Sequence, residues 1–156
     1  LLYSGRSEAK SFRAGQTNDQ DAWNREHVWA KSHGFPSSSQ YAYTDINHLR
    51  PADVSINSAR GNKDFDWGGT ALSESPENKT DSDSFEPADA VKGDVARMIF
   101  YMATRYEGGS GEPDLEVVDL KCLSIVRIII SSFISILHIT AIWPIPTIRL
   151  RLHFSL

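Results

Sequence analysis

Cysteine is almost missing from this chain. Cys122 is the only one in 156 residues, so no disulfide can close within it and a disulfide scaffold is excluded. A Cys-paired structural zinc site is excluded on the same ground. There is no surplus of positive charge either. Sixteen Lys and Arg stand against twenty Asp and Glu, a net charge of −4, which argues weakly against a nucleic-acid partner. No basic-then-apolar leader opens the chain, which starts at Leu1 rather than Met; that fits a mature form or a fragment. Proline and glycine are not in excess. The 40% apolar and 23% charged composition is that of a globular domain with one core.

Charge distribution is more informative than the total. From Trp23 to Lys63 there are five bases and three acids, whereas residues 64–116 carry thirteen acids and four bases. A local positive patch of the first kind is enough to hold phosphates. Along the chain, residues 1–22 read as a loop-rich lead-in and residues 23–29 as an extended segment. Residues 31–39 carry loop chemistry, and 41–50 read as a second extended stretch ending at Pro51. A helix is expected from Ala52, with Ala52, Ile56 and Ala59 on one face and Gly61 as its stop. Residues 66–86, rich in Ser, Asp, Gly and Glu, read as a surface loop. The strongest helix spans Pro87 to Tyr106, with Val91, Val95, Met98, Ile99 and Met102 as its apolar face. Trp23 and Trp29 read as packing residues rather than base-stacking platforms.

Three short blocks carry the chemistry: Asn24-Arg25-Glu26-His27-Val28-Trp29, Asp45-Ile46-Asn47-His48-Leu49-Arg50-Pro51-Ala52, and Asn57-Ser58-Ala59-Arg60-Gly61-Asn62. A lone His beside a carboxylate is common. Taken singly, Asn57 reads as a cap or turn residue, Arg60 as a solvated helix charge, and His48 equally well as a satisfied core histidine. The combination, in this order, resembles the endonuclease I family: a Glu-His pair, an Asp-x-x-(His/Asn)-Leu-x-Pro-Ala run, then Asn-x-x-Arg-x-Asn. The likeness runs from about Trp23 to Asp119 and takes in the helical stretch that includes Asp89 to Arg97.

The resemblance implies an α+β fold with a ββα-metal (His-metal finger) core and a non-specific endonuclease of DNA, RNA or both. It puts the general base on His27 and a divalent cation, Mg²⁺ or alternatively Mn²⁺ or Ca²⁺, on Glu26 and Asn57. Arg60 and Arg50 are the candidates for stabilising the phosphate, and Asp45, His48 and Asn62 for shaping the site. Members are periplasmic or secreted, and no obligate protein partner is implied. The chemistry suits these residue types. A neutral imidazole can take a proton from water near pH 7, a hard cation bound by oxygen ligands acts as a Lewis acid on the phosphate, and an arginine pairs with developing charge. Adjacent residues on a strand point to opposite faces, so Glu26 and His27 can serve one site only if the strand ends or bends there. Irregular backbone is therefore expected near residue 27.

The nuclease domain is expected over residues 1–119. Residues 120–156 depart from the family. They hold no Asp or Glu, and the stretch from Leu123 to Trp143 is almost wholly apolar. Three readings stand side by side: a buried strand or helix pair, a membrane-spanning helix at 123–143, or sequence foreign to the domain, as from another reading frame. Two functional alternatives follow from the tail, a nucleic-acid binder with impaired catalysis and a membrane-anchored protein.

Overall fold

The computed structural model describes residues 1–117. Every expectation about residues 120–156, the membrane-spanning reading of 123–143 included, lies outside the described residues; among the described ones no helix is long and apolar enough to cross a membrane.

Strand β1, Trp23–His27, pairs antiparallel with β2, Leu49–Asp53, and helix α1, Val54–Arg60, follows β2 directly. This is a ββα unit within an α+β fold. Asp53 ends the strand and caps the helix: its carboxylate accepts from the Ser55 and Ile56 backbone N–H groups, satisfying donors that a helix start leaves orphaned. Gly61 closes α1 with φ +58°, and its N–H bonds the Asn57 carbonyl, the left-handed geometry that favours glycine at this position. The helix therefore starts two residues later than the Ala52 periodicity suggests and stops where expected.

The expected extended stretch over 41–50 is corrected. Tyr41–Thr44 is a 3-10 turn, and β2 begins only at Leu49 and runs through Pro51. Proline is tolerated because its missing N–H lies on the outer edge of a two-stranded ribbon. The Pro51 carbonyl faces the same edge and accepts from the Leu2 N–H at 2.9 Å.

The 66–86 loop is also corrected. It carries three of the four strands of a second sheet, ordered β3 (Asp64–Phe65), β6 (Ser84–Glu86), β5 (Lys79–Thr80), β4 (Thr70–Ala71), with β3 and β6 parallel. All three β6 residues are buried. Strands of two or three residues are too short to show an alternating pattern, so composition alone spoke. Helix α2, Asp89–Arg105, matches the expected element, although Pro87 precedes it by two residues. Its apolar face is as expected except that Val91 is half-buried and Lys92 is buried beside it. The ammonium is held by Glu86 at 2.7 Å and Asp89 at 2.6 Å. Tyr3, Phe65 and Phe85 stack in the core, with ring centroids 5.0–6.4 Å apart.

Candidate active site

The ribbon has two chemically different faces. By strand alternation, Asn24 and Glu26 lie on one and Arg25 and His27 on the other. The side-chain contacts agree. Asn57 on α1 donates its amide N–H to Asn24 Oδ1 at 2.7 Å, and Arg60 on α1 donates to Glu26 Oε1 at 2.8 Å. Arg25 and His27 instead meet Tyr43 of the 3-10 turn, at 5.9 Å and 4.8 Å to its ring centroid. The β1 strand stops at His27 and a bend follows at residues 28–29, so the irregularity expected near residue 27 takes the form of a strand end.

His27 is nearly buried, and its Nε2 lies 2.9 Å from the Tyr43 carbonyl oxygen. A carbonyl can only accept, so this contact fixes the proton on Nε2 and leaves a lone pair on Nδ1. Burial lowers the His27 pKa, and the nearby cations Arg25, Lys31 and Arg60 lower it further, against the pull of the Tyr43 carbonyl. The imidazole is thus held neutral.

His48 is fully buried. Its Nε2 lies 2.9 Å from the Ala42 carbonyl, and its ring stands 5.6 Å from His27 and edge-on to Phe35 at 5.5 Å. Burial pushes its pKa down to about 4, so it too is neutral. Two imidazoles therefore grip consecutive carbonyls of the same short turn. Asp45, just after that turn, accepts from Tyr101 Oη at 3.0 Å and Tyr106 Oη at 2.9 Å. Burial opposes the Asp45 charge, but the hydrogen bonds from Asn47, Tyr106 and Tyr101 outweigh it and hold its carboxyl below the ordinary range. Asp45 and His48 thus hold in place the turn whose Tyr43 carbonyl meets His27.

Glu26 is buried, and its Oε1 also accepts from Tyr3 Oη at 2.6 Å. Burial raises its carboxyl above the ordinary range, against the pull of Arg60 and the hydrogen bonds. Arg60 does not face solvent as a phosphate clamp would. It is 2% exposed, and besides Glu26 it donates to the backbone carbonyls of His27 (2.8 Å), Val28 (2.8 Å) and Lys63 (3.2 Å), with Phe65 beneath it at 4.6 Å. Arg60 thus fastens α1 to the end of β1. Arg50 pairs with Glu26 across the ribbon and is half-buried, its guanidinium bonded to the Ile46 and Leu49 carbonyls. Asn62 is exposed in the turn after α1.

Sequence reasoning missed three contributors: the Tyr43 carbonyl, the Tyr3 hydroxyl and Arg6. A backbone carbonyl leaves no mark on composition, and Tyr3 and Arg6 lie far from the motifs in sequence. Arg6 Nη2 bonds Asp53 Oδ2 at 2.5 Å and its Nη1 lies 3.9 Å from Asp21, beside the cluster of Asp21, Asp53 and Glu74 at the start of α1.

The ββα unit thus presents a neutral, tautomer-locked imidazole at its strand end and a buried carboxylate on the opposite face of the same strand. The family model of Endonuclease I matches residues 2–117, and the chain belongs to that family. It is 60% identical over 119 residues to an extracellular ribonuclease of Bacillus subtilis (strain 168), and 61% identical over 119 residues to one of Bacillus amyloliquefaciens. Each match covers 76% of this chain but 40% of the relative, so the chain spans about two-fifths of the length of these curated proteins.

Proposed function

We propose that this chain is a divalent-metal-dependent endonuclease that hydrolyses phosphodiester bonds in RNA and DNA with little sequence preference, and that it acts outside the cell, as the names of its relatives suggest for them. The observation that carries the reading is the Tyr43 carbonyl on His27 Nε2. With that nitrogen protonated, Nδ1 is the atom able to accept a proton from an attacking water. Burial and neighbouring cations keep the ring neutral near pH 7, and the same cations, Arg25 and Lys31, attract phosphate to this side.

The donor set suits a hard cation. Asn57 uses its amide N–H on Asn24, which leaves its own carbonyl oxygen as a ligand atom, and both side-chain donors to Glu26 meet the same oxygen, Oε1. Glu26 and Asn57 would hold the metal, with water and phosphate as further ligands. A bound Mg²⁺, Mn²⁺ or Ca²⁺ would supply Lewis-acid stabilisation of the phosphate and leaving oxygen. Arg50 is on the same ribbon face as Glu26 and is the candidate phosphate contact. Arg60 is a positioning residue that keeps Glu26 and the His27 backbone in place.

The test is degradation of plasmid DNA and of RNA by the full chain, with and without excess chelator. Cleavage that stops on chelation and is lost in His27→Ala supports the reading. Undiminished cleavage in either arm overturns the corresponding part of it.

A further inference from the structure

The His27 face of the ribbon continues past the site described above. Trp23, Arg25 and His27 lie on it at two-residue intervals, so Trp23 stands about 13 Å from His27 at the usual rise of roughly 3.3 Å per strand residue. There the ribbon opens into a groove of about 590 Å³ lined by Trp23, Pro51, Arg6, Glu8, Lys10 and Arg13, a volume within the usual range for ligand sites. The segment before β1 builds its wall. Arg13 bridges Trp23 in parallel, the Trp23 N–H bonds the Phe12 carbonyl at 3.1 Å, and the indole Nε1–H bonds the Ala9 carbonyl at 3.1 Å. The indole is therefore fixed in pose and only half-buried, unlike Trp29, which is buried as expected of a packing residue.

Charge in the groove is not balanced internally. Glu8 is taken up by Arg6 at 3.2 Å, and Arg6 by Asp53 as well. Lys10 and Arg13 are exposed and form no ion pair among the described residues, nor do Arg25, Lys31 and Arg50. On the α2 side, by contrast, Lys79, Lys92, Arg97 and Arg105 are all paired with carboxylates. Four of the six cations that form no ion pair among the described residues, Lys31, Arg25, Arg13 and Lys10, thus follow the His27 face, whereas Arg50 is on the Glu26 face and Lys63 bonds the Ala59 carbonyl and Thr80.

We propose that this groove is a substrate subsite for a single-stranded stretch of polynucleotide, with an unstacked base against the Trp23 indole and the adjoining phosphates on Arg13 and Lys10. The occupant must be single-stranded at that point, because an indole offers its face only to a base free of its own neighbour. The distance to His27 corresponds to about four nucleotides at the stacked spacing of roughly 3.4 Å, fewer in an extended strand. The subsite therefore acts on oligomers and not on dinucleotides. It rests on the nuclease reading and adds to it a preference for unpaired strands.

The test is fluorescence anisotropy of the full chain with a labelled single-stranded octanucleotide and a labelled dinucleotide, in excess chelator, over a range of salt. In the K10Q/R13Q double variant, octanucleotide affinity should fall and the slope of log affinity on log salt should drop by about 1.4, at roughly 0.7 per phosphate contact on a single strand. Trp23→Leu should weaken octanucleotide binding roughly 5- to 150-fold, the range for one base–aromatic stack, while Trp23→Phe keeps most of it. None of these changes should alter dinucleotide binding. The salt slope is a readout that a merely structural role would not move. A wild-type chain that cleaves nucleic acid while K10Q/R13Q keeps both affinity and slope overturns the subsite and leaves the nuclease reading standing. A wild-type chain that neither binds nor cleaves removes both.

Discussion

His48 makes the fold sensitive to acid in a calculable way. The ring is fully buried with Nε2–H on the Ala42 carbonyl, and its Nδ1 is buried with no hydrogen-bond partner among the described residues. Protonation would put a second, unsolvated N–H and a full charge 5.6 Å from the His27 ring. Burial accordingly lowers the pKa from 6.5 to about 4. Because the folded-state value lies below the unfolded one, the unfolded chain takes up the proton first. The stabilisation is whole above pH 6.5 and is lost as pH falls toward 4. Linkage puts the loss at about 2 kcal/mol by pH 5 and about 3 kcal/mol near pH 4, a large share of a typical stability of about 5–15 kcal/mol. His27 adds in the same direction and Glu26 opposes it, so the comparison must isolate His48. His48→Gln can still donate to the Ala42 carbonyl but cannot titrate. Urea unfolding of both proteins at pH 7 and pH 5 should show the wild type losing about 2 kcal/mol more than the variant. Equal losses would mean that His48 does not carry the acid sensitivity. Imidazole proton resonances give a second check, since one histidine should stay neutral down to about pH 4.

Other outcomes follow from the same contacts. The acid limb of kcat/KM should reflect an apparent pKa below the ordinary 6.5 of histidine, because burial and the surrounding cations lower that of His27; a pH–rate profile checks it. Arg60→Met leaves the Glu26 carboxylate buried without its partner and should cost about 3–5 kcal/mol in denaturant unfolding, whereas R60M/E26Q should recover part of the loss. Asn57→Ala removes the proposed ligand carbonyl and should raise the Mg²⁺ concentration needed for half-maximal cleavage by about tenfold or more, read from a metal titration of activity.

Much of the site was legible because its parts are local. The Glu26-His27 pair and the Gly61 stop follow from short-range pattern, and the ββα order came with the family resemblance. What escaped was set by tertiary contacts. Arg60 looks like any helical surface charge in sequence, yet the turn of α1 aims it at three backbone carbonyls and a buried carboxylate. The second sheet was invisible because each of its strands has only two or three residues, and its burial comes from Tyr3, Phe65 and Phe85 meeting across 82 positions of chain. The surroundings of Trp23 were hidden for the same reason, since nothing near it in sequence shows that residues 9–13 fold back to hold its indole.

The opposition of Glu26 and His27 across the strand is a consequence of the pleat, and the contacts suggest how it serves one reaction. Were both side chains on one face, Arg60 and the cations around His27 would crowd a single pocket. The pleat keeps the Arg60 hydrogen bonds on the carboxylate, so that its charge is only the last of three cations that lower the His27 pKa. Arg60 satisfies Glu26 from the α1 side, while on the other side two backbone carbonyls of the 3-10 turn, which carry no net charge, orient His27 and His48. The imidazole is kept neutral and the carboxylate keeps its partner, and in the proposed reaction the phosphate would lie across the strand end at residue 27, where the two faces meet. The positioning of His27 therefore depends on the 3-10 turn more than on the strand. Shifting the turn by removing the Asp45 anchor to Tyr101 and Tyr106, as in Asp45→Ala, should lower kcat while leaving binding of an uncleaved oligonucleotide in place; a variant that loses both alike would show that the turn supports the whole domain and not the base alone.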